Sequence, residues 1–292
     1  MSKRRLNQSR IKDFLSCRLR YRYRYIDNLS PKAPTARPLQ LGGIVHHILH
    51  LYDKNELDLD LLIPDPDPDK HLSKLETLID QLYPGNDAIE GLTADIASEA
   101  ALLSLSYIKT WRDANLKLIP GETILEYELP SCILVGRTDG WARTQDNRLW
   151  RNERKTTAKF DSKYLDGLRQ GLQGAVYDFL SEKLFHEELS GTVYDLIVKM
   201  KVPQFHRNYV RINRQSIARM LETIAGVNRS MDRGDFYPSS DCNSYFRACD
   251  YKSLCDYDSE EVRRSFFKPR VSDYVDNPDR TILEEEGGEV GV

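Results

Sequence analysis

Two stretches decide the fold: Ile133-Leu134-Val135-Gly136-Arg137-Thr138-Asp139 and Arg148-Leu149-Trp150-Arg151-Asn152-Glu153-Arg154-Lys155-Thr156. The first is an apolar run that ends in an aspartate. If the second is a β-strand, its two-residue period puts Glu153 and Lys155 on one face. Two carboxylates and an ammonium group would then converge. Carboxylates bind a hard divalent cation, which polarises a phosphate and lowers the pKa of a bound water, so this set suits metal-dependent phosphodiester hydrolysis. A solvated sheet edge is the alternative, because 30% of the residues are charged.

A helical pattern follows this pair. Its apolar positions have helical spacing and are Leu165, Leu168, Leu172, Val176 and Phe179. Gln173 and Tyr177 are four residues apart and therefore share a helix face, from which they can support metal ligands or contact a phosphate. The alternative is a surface glutamine beside a half-buried tyrosine.

Upstream, residues 41–52 predict an apolar helix that carries three of the six histidines. His46 and His50 share a face at a spacing of four. A neutral imidazole is a good ligand for Mn²⁺ and Zn²⁺. A histidine in an apolar helix can equally be a hydrogen-bonded core residue.

Four motifs occur in a fixed order: Gly42-x-x-x-His46, Gly136-x-x-Asp139, Glu153-x-Lys155 and Gln173-x-x-x-Tyr177. Together they resemble the RecB-like branch of the PD-(D/E)XK nuclease superfamily. The resemblance implies an α/β fold with a restriction-endonuclease-like core, in which helices flank a mixed sheet. An N-terminal helical lobe and a C-terminal Cys cluster lobe are expected to wrap this core.

The resemblance also implies the site. The metal ligands for Mn²⁺ or Mg²⁺ would be His46, Asp139 and Glu153. Lys155 would serve the attacking water, and Gln173 and Tyr177 would support the catalytic residues. The choice of His46 over His47 depends on the spacing from Gly42, and Gly43 to His47 fits the same spacing.

Five cysteines are present. Cys132 lies in the apolar stretch before Gly136, where we interpret it as a small core residue. Cys17 lies near the N-terminus, and three more lie close together downstream, namely Cys242, Cys249 and Cys255. Four thiolates can bind Zn²⁺ or an iron–sulfur cluster.

A subset of RecB-like nucleases resembles this cysteine pattern, including the AddB nuclease domain and the CRISPR-associated exonucleases. In these, one cysteine before the core and three after it bind a 4Fe-4S cluster. The five residues between Cys249 and Cys255 match that subset, whereas the six between Cys242 and Cys249 exceed its usual two. An iron–sulfur cluster, a zinc ion and unliganded cysteines all remain open. A cluster would close a loop of more than two hundred residues and stabilise the fold by roughly 4–5 kcal/mol in a cross-link model.

Arginines alternate with aromatic residues in the N-terminal part of the chain. The run contains Arg18, Arg20, Tyr21 and Arg22, and we interpret it as a nucleic-acid-binding path, because arginine neutralises phosphate and tyrosine stacks on unpaired bases. The alternative is a helix whose tyrosines pack inward while its arginines are solvated.

The net charge, the apolar runs and the motifs that the sequence lacks narrow the classes of protein to which the chain can belong. The net charge of −3 argues against indiscriminate coating of DNA. No secretory signal opens the sequence and no apolar run approaches a membrane span, so a reducing cytoplasm, free thiols and no membrane partner are expected. There is no Walker-type phosphate loop, so a helicase or CRISPR adaptation partner would act in trans. An oligomer is possible by the family resemblance, although no feature of the sequence predicts one.

The pattern predicts helices at 9–27, 41–54, 70–83, 93–115, 162–185 and 214–232. Strands are predicted at 122–129, 132–138, 148–155, 192–200 and 209–212. We expect one nuclease domain over 1–270, divided into a Cys/His helical part (1–118), a core (119–235) and a Cys lobe (236–270). An acidic tail over 271–292 is expected to be disordered.

The leading hypothesis is a metal-dependent deoxyribonuclease that hydrolyses single-stranded or duplex DNA from its ends. DNA repair, recombination, phage DNA metabolism and CRISPR adaptation are the settings that the resemblance implies. The alternatives are a non-catalytic DNA-binding scaffold of the same fold and a zinc-stapled structural protein.

Overall fold

The computed structural model describes residues 3–33, 37–83, 93–111, 116–239, 242–244, 247–271, 273 and 275–276. The chain divides into two compact units, neither of which is continuous in sequence. The first unit comprises residues 1–32, 126–135 and 222–292, and the second comprises 33–125 and 136–221.

The strands are β1 (Arg5–Leu6), β2 (Leu29–Pro31), β3 (Leu116–Glu128), β4 (Ile133–Thr144), β5 (Leu149–Thr157), β6 (Gly191–Val198), β7 (Gln204–Arg211), β8 (Asn243–Ser244), β9 (Arg247–Ala248) and β10 (Phe267–Pro269). The helices are α1 (Gln8–Ser16), α2 (Arg18–Tyr21), α3 (Arg37–Asp53), α4 (Pro68–Leu82), α5 (Ala94–Trp111), α6 (Ser162–Gln170), α7 (Leu172–Phe185), α8 (Arg214–Asp232), α9 (Lys252–Asp256) and α10 (Glu260–Phe266). A π-helical turn, Arg22–Ile26, continues α2, and a 3₁₀ turn, Leu59–Leu62, precedes α4.

A mixed sheet forms the second unit's centre. Strands β4 and β5 are antiparallel, β5 and β6 are parallel, and β6 and β7 are antiparallel. Strand β3 also pairs with β4. Every residue of β6 is buried, as expected for a central strand that is covered on both faces. The predicted mixed sheet flanked by helices is therefore confirmed.

Helices α3, α4 and α5 pack together in the second unit. Their apolar faces form one core, to which α3 contributes Leu41, Ile44, Val45, Ile48, Leu49 and Leu51. Ile197 of β6 belongs to the same core, so α3 is fixed against the sheet. This packing explains why a helix with three histidines is still largely buried: the histidines occupy the positions between the apolar ones.

The first unit is smaller. Strand β1 pairs in parallel with Ile133 and Leu134 at the start of β4, and β2 pairs with β10. A cluster of buried side chains lies at its centre and comprises Tyr23, Tyr251, Leu254 and Phe267.

Two predicted helices are interrupted, and one prediction extends beyond the described residues. The helix expected over 162–185 is interrupted at Gly171, whose ψ of 137° is extended and which caps α7. The helix expected over 9–27 is broken at Cys17, whose Sγ accepts the Arg20 N–H at 3.4 Å. Helix α5 ends at Trp111, and residues 112–115 of the predicted helix lie outside the described residues.

The predicted disorder from 271 onward is also corrected in part. Val275 is fully buried, and its carbonyl oxygen accepts a 2.8 Å hydrogen bond from Arg5 Nε. Arg10 forms ion pairs with Asp273 at 2.9 Å and Asp276 at 2.6 Å. These residues are packed because they supply counter-charges for a buried arginine. Residues 277–292 lie outside the described part of the chain.

Candidate active site

Strands β4 and β5 place the two predicted carboxylates beside each other. Gly140 pairs with Asn152 in the antiparallel register, so Asp139 and Glu153 fall at the next facing position. The Arg154 backbone N–H donates to Asp139 Oδ2 at 2.8 Å and fixes that carboxylate against β5. The adjacency comes from strand pairing and not from a flexible loop.

Helix α3 brings His46 to Asp139. His46 Nδ1 lies 3.4 Å from Asp139 Oδ2, and both side chains are partly exposed. Burial by itself would lower the pKa of His46, but the Asp139 carboxylate outweighs it and the pKa lies above its ordinary value. Burial would raise the pKa of Asp139, but His46 and the Arg154 N–H outweigh it and hold the pKa low. The pair is therefore a carboxylate beside a basic imidazole.

Glu153 lies at the buried end of the site. Its Oε1 pairs with Lys155 Nζ and accepts a 3.1 Å hydrogen bond from Gln173 Nε2. Glu153 is only 3% exposed, whereas the Lys155 side chain is 25% exposed. Burial would lower the pKa of Lys155, but Glu153 and Asp139 outweigh it, so the pKa is raised and the ammonium form is favoured.

The structure thus brings together His46, Asp139, Glu153, Lys155 and Gln173, all within the second unit. Tyr177 lies beside this group. It is buried, and its ring lies 5.3 Å from the guanidinium of Arg151. Arg151 in turn pairs with Glu153.

Arg151 is a site residue that sequence reasoning missed. Its side chain is fully buried; Nη1 donates to Glu153 Oε2 and Nε donates to Asp178 Oδ1 at 3.1 Å. The guanidinium also lies 5.3 Å from the ring of Tyr177 and 5.9 Å from the ring of Tyr194. Arg151 is two residues before Glu153, on the same face of β5, and that spacing was the available signal.

Asp178 completes this buried cluster. Its Oδ1 also accepts a 2.9 Å hydrogen bond from the Thr192 hydroxyl. Burial raises the pKa of Asp178 above its ordinary value, against the opposing effect of Arg151. Arg151 therefore holds two carboxylates, one of which belongs to the site.

A second buried arginine lies on the opposite face of β5. Arg154 pairs with Asp53 of α3 at 2.6 Å, and both side chains are at most 5% exposed. Arg154 Nε also donates to the Tyr107 hydroxyl at 3.3 Å, and that hydroxyl donates to Asp195 at 2.5 Å. Because Asp53 and His46 are both on α3, this ion pair ties the helix that carries His46 to the strand that carries Glu153.

Two motif glycines permit close approach between elements. A Cβ at Gly136 would lie 2.7 Å from Leu180 and 2.9 Å from the Tyr177 ring, so only glycine lets α7 approach β4 this closely. A Cβ at Gly42 would lie 2.9 Å from the Thr156 hydroxyl on β5. These close approaches explain why the motifs that end at His46 and Asp139 each begin with a glycine.

The donor set suits a hard divalent cation, since it combines two carboxylates with an imidazole. These side chains are paired with one another and with Lys155, Gln173 and Arg151. In the described part of the chain, no three His, Cys, Asp or Glu side chains form a group that could hold a metal ion. The residues fit a hard cation by the chemistry of their donor atoms.

Four of the five cysteines belong to one neighbourhood of the first unit, and none of the five forms a disulfide. The Ser239 N–H donates to Cys17 Sγ at 3.5 Å, and Cys242 Sγ contacts the Ser239 carbonyl oxygen at 3.5 Å. The Cys249 N–H donates to the Cys242 carbonyl oxygen at 2.9 Å. Burial and the neighbouring charges of Cys17, Cys249 and Cys242 raise the pKa of Cys255 to about 11. Cys132 is fully buried, as predicted.

The predicted nucleic-acid path is corrected at its tyrosine. Tyr21 is 4% exposed and packs against Phe14 and Phe236, with centroids 5.4 and 6.4 Å away, so its ring is not available to a base. Arg20 pairs with Asp13 at 2.9 Å and Arg22 with Asp27 at 3.5 Å.

Arg18 lies over the rings of Phe14 and Tyr237, at 5.1 and 4.5 Å. The alternative with inward-packed tyrosines describes this segment better.

No helix in the described ranges is long and apolar enough to cross a membrane.

Comparison with known proteins gives two findings. The family model for the PD-(D/E)XK nuclease superfamily matches residues 5–256. No curated protein sequence matches the chain.

Two solved structures are similar to this chain. The crystal structure of a "putative exonuclease" from Eubacterium rectale is similar over 89% of this chain and 92% of that one, with a TM-score of 0.50 and 13% sequence identity. At this identity the likeness concerns the fold alone. The structure of SSO0001 covers 74% of this chain and 84% of its own, with a TM-score of 0.28 and 15% identity.

Proposed function

This chain belongs to the PD-(D/E)XK nuclease superfamily, and from that premise we propose that it is a metal-dependent DNA exonuclease that hydrolyses phosphodiester bonds from DNA ends. One observation carries the proposal. Asp139 and Glu153 occupy facing positions on β4 and β5, and His46 and Lys155 contact them. Both carboxylates lie on inner strands of the sheet, and the His46, Asp139 and Lys155 side chains remain partly exposed to solvent.

Each side chain has a proposed role. His46, Asp139 and Glu153 would hold Mn²⁺ or Mg²⁺. When bound, that ion would polarise the scissile phosphate and lower the pKa of a water. Lys155 would orient this water and neutralise developing charge on the phosphate through its ammonium group. Gln173 fixes Glu153 Oε1 through its amide N–H.

The direct test is degradation of end-labelled linear DNA with Mn²⁺ by wild type and Lys155→Ala, both purified anaerobically. Single-stranded and duplex substrates, labelled at either end, give strand preference and polarity. Wild type is expected to release labelled nucleotides and Lys155→Ala to lose at least a hundredfold in rate. Lys70→Ala, an exposed lysine on α4, is the matched control and should cleave normally.

If neither wild type nor the control degrades any substrate, the catalytic proposal fails and a DNA-binding scaffold becomes the better description. If Lys155→Ala cleaves as well as Lys70→Ala, the assignment of Lys155 is wrong.

We further propose that Cys17, Cys242, Cys249 and Cys255 bind a 4Fe-4S cluster. The support is their shared neighbourhood: burial raises the pKa of Cys255, and charge repulsion from Cys17, Cys249 and Cys242 raises it further. A cluster would relieve this repulsion by binding the thiolates. Its role would be to hold the N-terminal and C-terminal segments of the first unit together, without a redox step in cleavage.

Iron, sulfide and zinc analysis of anaerobically purified protein tests the cluster. Wild type and Cys132→Ser should contain about four irons per chain, as a Cys₄ cluster requires, and Cys17→Ser should contain much less. If the protein contains zinc and no iron, the four cysteines form a zinc site and the cluster proposal is wrong. If it contains neither metal, the thiols are unliganded and the cluster proposal is also wrong.

A further inference from the structure

The far edge of the sheet beyond the catalytic residues carries exposed basic and aromatic groups that no motif explains. The edge consists of the loop after β5 and the hairpin between β6 and β7. Its members are Lys159, Phe160, Lys199, Lys201, Val202 and His206. We call this set the basic edge.

Backbone contacts hold the two parts of the basic edge together. Strands β5 and β6 are parallel and end in register, with Thr157 beside Val198, and the Lys199 N–H donates to the Thr157 carbonyl oxygen at 2.8 Å. The Thr157 hydroxyl closes the turn after β5 by accepting the Lys159 N–H at 3.2 Å and donating to the Lys159 carbonyl oxygen at 2.8 Å. These hydrogen bonds give the loop after β5 a defined conformation.

This turn places Phe160 on His206 of β7. The two rings are stacked, with centroids 4.3 Å apart and an interplanar angle of 26°. Both rings are partly exposed. A half-exposed ring pair is a platform on which an unpaired base can stack, and such stacking tolerates any base.

Cations surround the platform. Lys159 and Lys201 are exposed, and within the described residues neither forms an ion pair. Lys199 contacts the Pro38 carbonyl oxygen at 3.4 Å and has Glu99 as its acidic neighbour. Lysines that have no acidic partner are suited to a polyanion.

The hairpin also exposes apolar side chains between its lysines. Met200 is 54% exposed and Val202 is 75% exposed. Apolar groups at a protruding tip, flanked by cations, are the type of wedge that proteins place against base steps. An apolar surface alone would suit many partners, but its alternation with lysines favours a nucleic acid.

The basic edge lies next to the catalytic strand. Lys155 and Lys159 are four residues apart, so their Cα atoms are separated by at most about 14 Å along the chain. A DNA strand bound at Lys155 would therefore reach the Phe160 and His206 rings within a few nucleotides.

We propose that the basic edge binds the single-stranded part of the DNA substrate, with bases stacked on Phe160 and His206 and phosphates on Lys159 and Lys201. This inference rests on the proposed nuclease function and adds the path by which its substrate leaves the site. The edge is a binding surface, and its residues take no part in bond cleavage.

The test is the binding of a 5′-fluorescein-labelled 30-nucleotide single strand in EDTA, followed by anisotropy. Lys159→Glu/Lys201→Glu is compared with Lys70→Glu/Lys109→Glu, which reverses two exposed lysines of α4 and α5 and changes the net charge equally. We expect at least tenfold weaker binding for the first variant and less than twofold for the second. The slope of log affinity against log salt should fall by about 1.4, at roughly 0.7 per lost phosphate contact.

Phe160→Leu separates stacking from charge. It should weaken binding of the 30-nucleotide strand several-fold without changing the salt slope, because a leucine removes the stacking ring and leaves every lysine in place. In cleavage with Mn²⁺, the variants should raise KM for the long strand and leave kcat unchanged.

Equal losses for both lysine pairs, or none for either, would overturn the basic edge while leaving the nuclease intact. Failure of the proposed function looks different, because wild type itself would then not cleave.

Discussion

At the scale of single residues, Arg151 is shared by two buried ion pairs, because its fully buried side chain pairs with both Glu153 and Asp178. Removing one partner of a buried ion pair leaves an uncompensated charge away from water, which costs more than the pair itself contributes. The side chain is fully buried, and the rings of Tyr177 and Tyr194 lie 5.3 and 5.9 Å from the guanidinium.

Arg151→Met should therefore lower the free energy of unfolding by about 3–5 kcal/mol and reduce DNA cleavage. Urea unfolding followed by circular dichroism measures the first effect. Arg143→Met is the matched control, since Arg143 pairs with Glu187 at 2.7 Å in a more exposed setting and should cost at most about 1 kcal/mol.

Asp178→Asn in the Arg151→Met background should recover part of the lost stability, because one buried carboxylate is removed. Equal destabilisation by Arg151→Met and Arg143→Met would contradict this account of the buried pair.

Gln173→Ala should lower the cleavage rate by about 10–100-fold, the usual effect of losing a side chain that orients a metal ligand. The physical reason is its 3.1 Å hydrogen bond to Glu153 Oε1. The unfolding midpoint should stay unchanged, since Gln173 is only partly buried. Gln170→Ala, at the exposed end of α6, is the control for cleavage. A wild-type rate for Gln173→Ala would remove Gln173 from the site.

At the scale of helices and strands, the site depends on how closely α7 approaches β4. Gly136→Ala would force a Cβ against Leu180 and the Tyr177 ring. Overpacking of this kind costs typically about 1–3 kcal/mol. Gly167→Ala is the matched control, because nothing lies within 4 Å of its added Cβ on α6. It should be neutral or more stable by up to about 1 kcal/mol.

Thermal or denaturant unfolding of Gly136→Ala and Gly167→Ala measures the change in the free energy of unfolding for each variant. Similar stabilities for Gly136→Ala and Gly167→Ala would mean that α7 can move away from β4 without cost.

The sequence predicted the elements that have a clear period. The two-residue period of β5 placed Glu153 and Lys155 on one face, and α8 spans 214–232 as predicted. The break at Gly171 was missed because the apolar period continues across it, and only the backbone conformation reveals the interruption.

The sequence left two points undecided for another reason: whether Tyr21 packs inward or faces a base, and what Arg151 contacts. Both depend on partners distant in the chain: Phe236 for the tyrosine and Asp178 for the arginine. Local spacing shows which face of an element a side chain occupies, but not what covers that face.

At the scale of the whole molecule, the segment that ends the described chain stabilises the first unit. Asp273 and Asp276 neutralise Arg10, and Val275 is fully buried. A chain that ends at Val271 should be less stable than one that ends at Asp276 by at least about 2 kcal/mol, from the loss of one buried aliphatic side chain and of both counter-charges.

Urea unfolding of the two truncated chains and the full chain provides the measurement. The chain ending at Asp276 should match the full chain, because the acidic tail is predicted to be disordered. A loss of stability on removing 277–292 would show that the tail contributes to folding.

The discontinuous first unit also has a consequence for how the protein is made. Its N-terminal segment, residues 1–32, leaves the ribosome well before its packing partners in residues 222–276 are synthesised. At translation rates of about 5–20 residues per second, roughly 10–50 seconds separate them. During this interval the apolar side chains of α1 have no native cover, whereas the residues of the second unit are complete earlier. Nascent chains stalled before residue 222 should therefore depend on chaperones at their N-terminus, and that dependence should end once the last strand has been released.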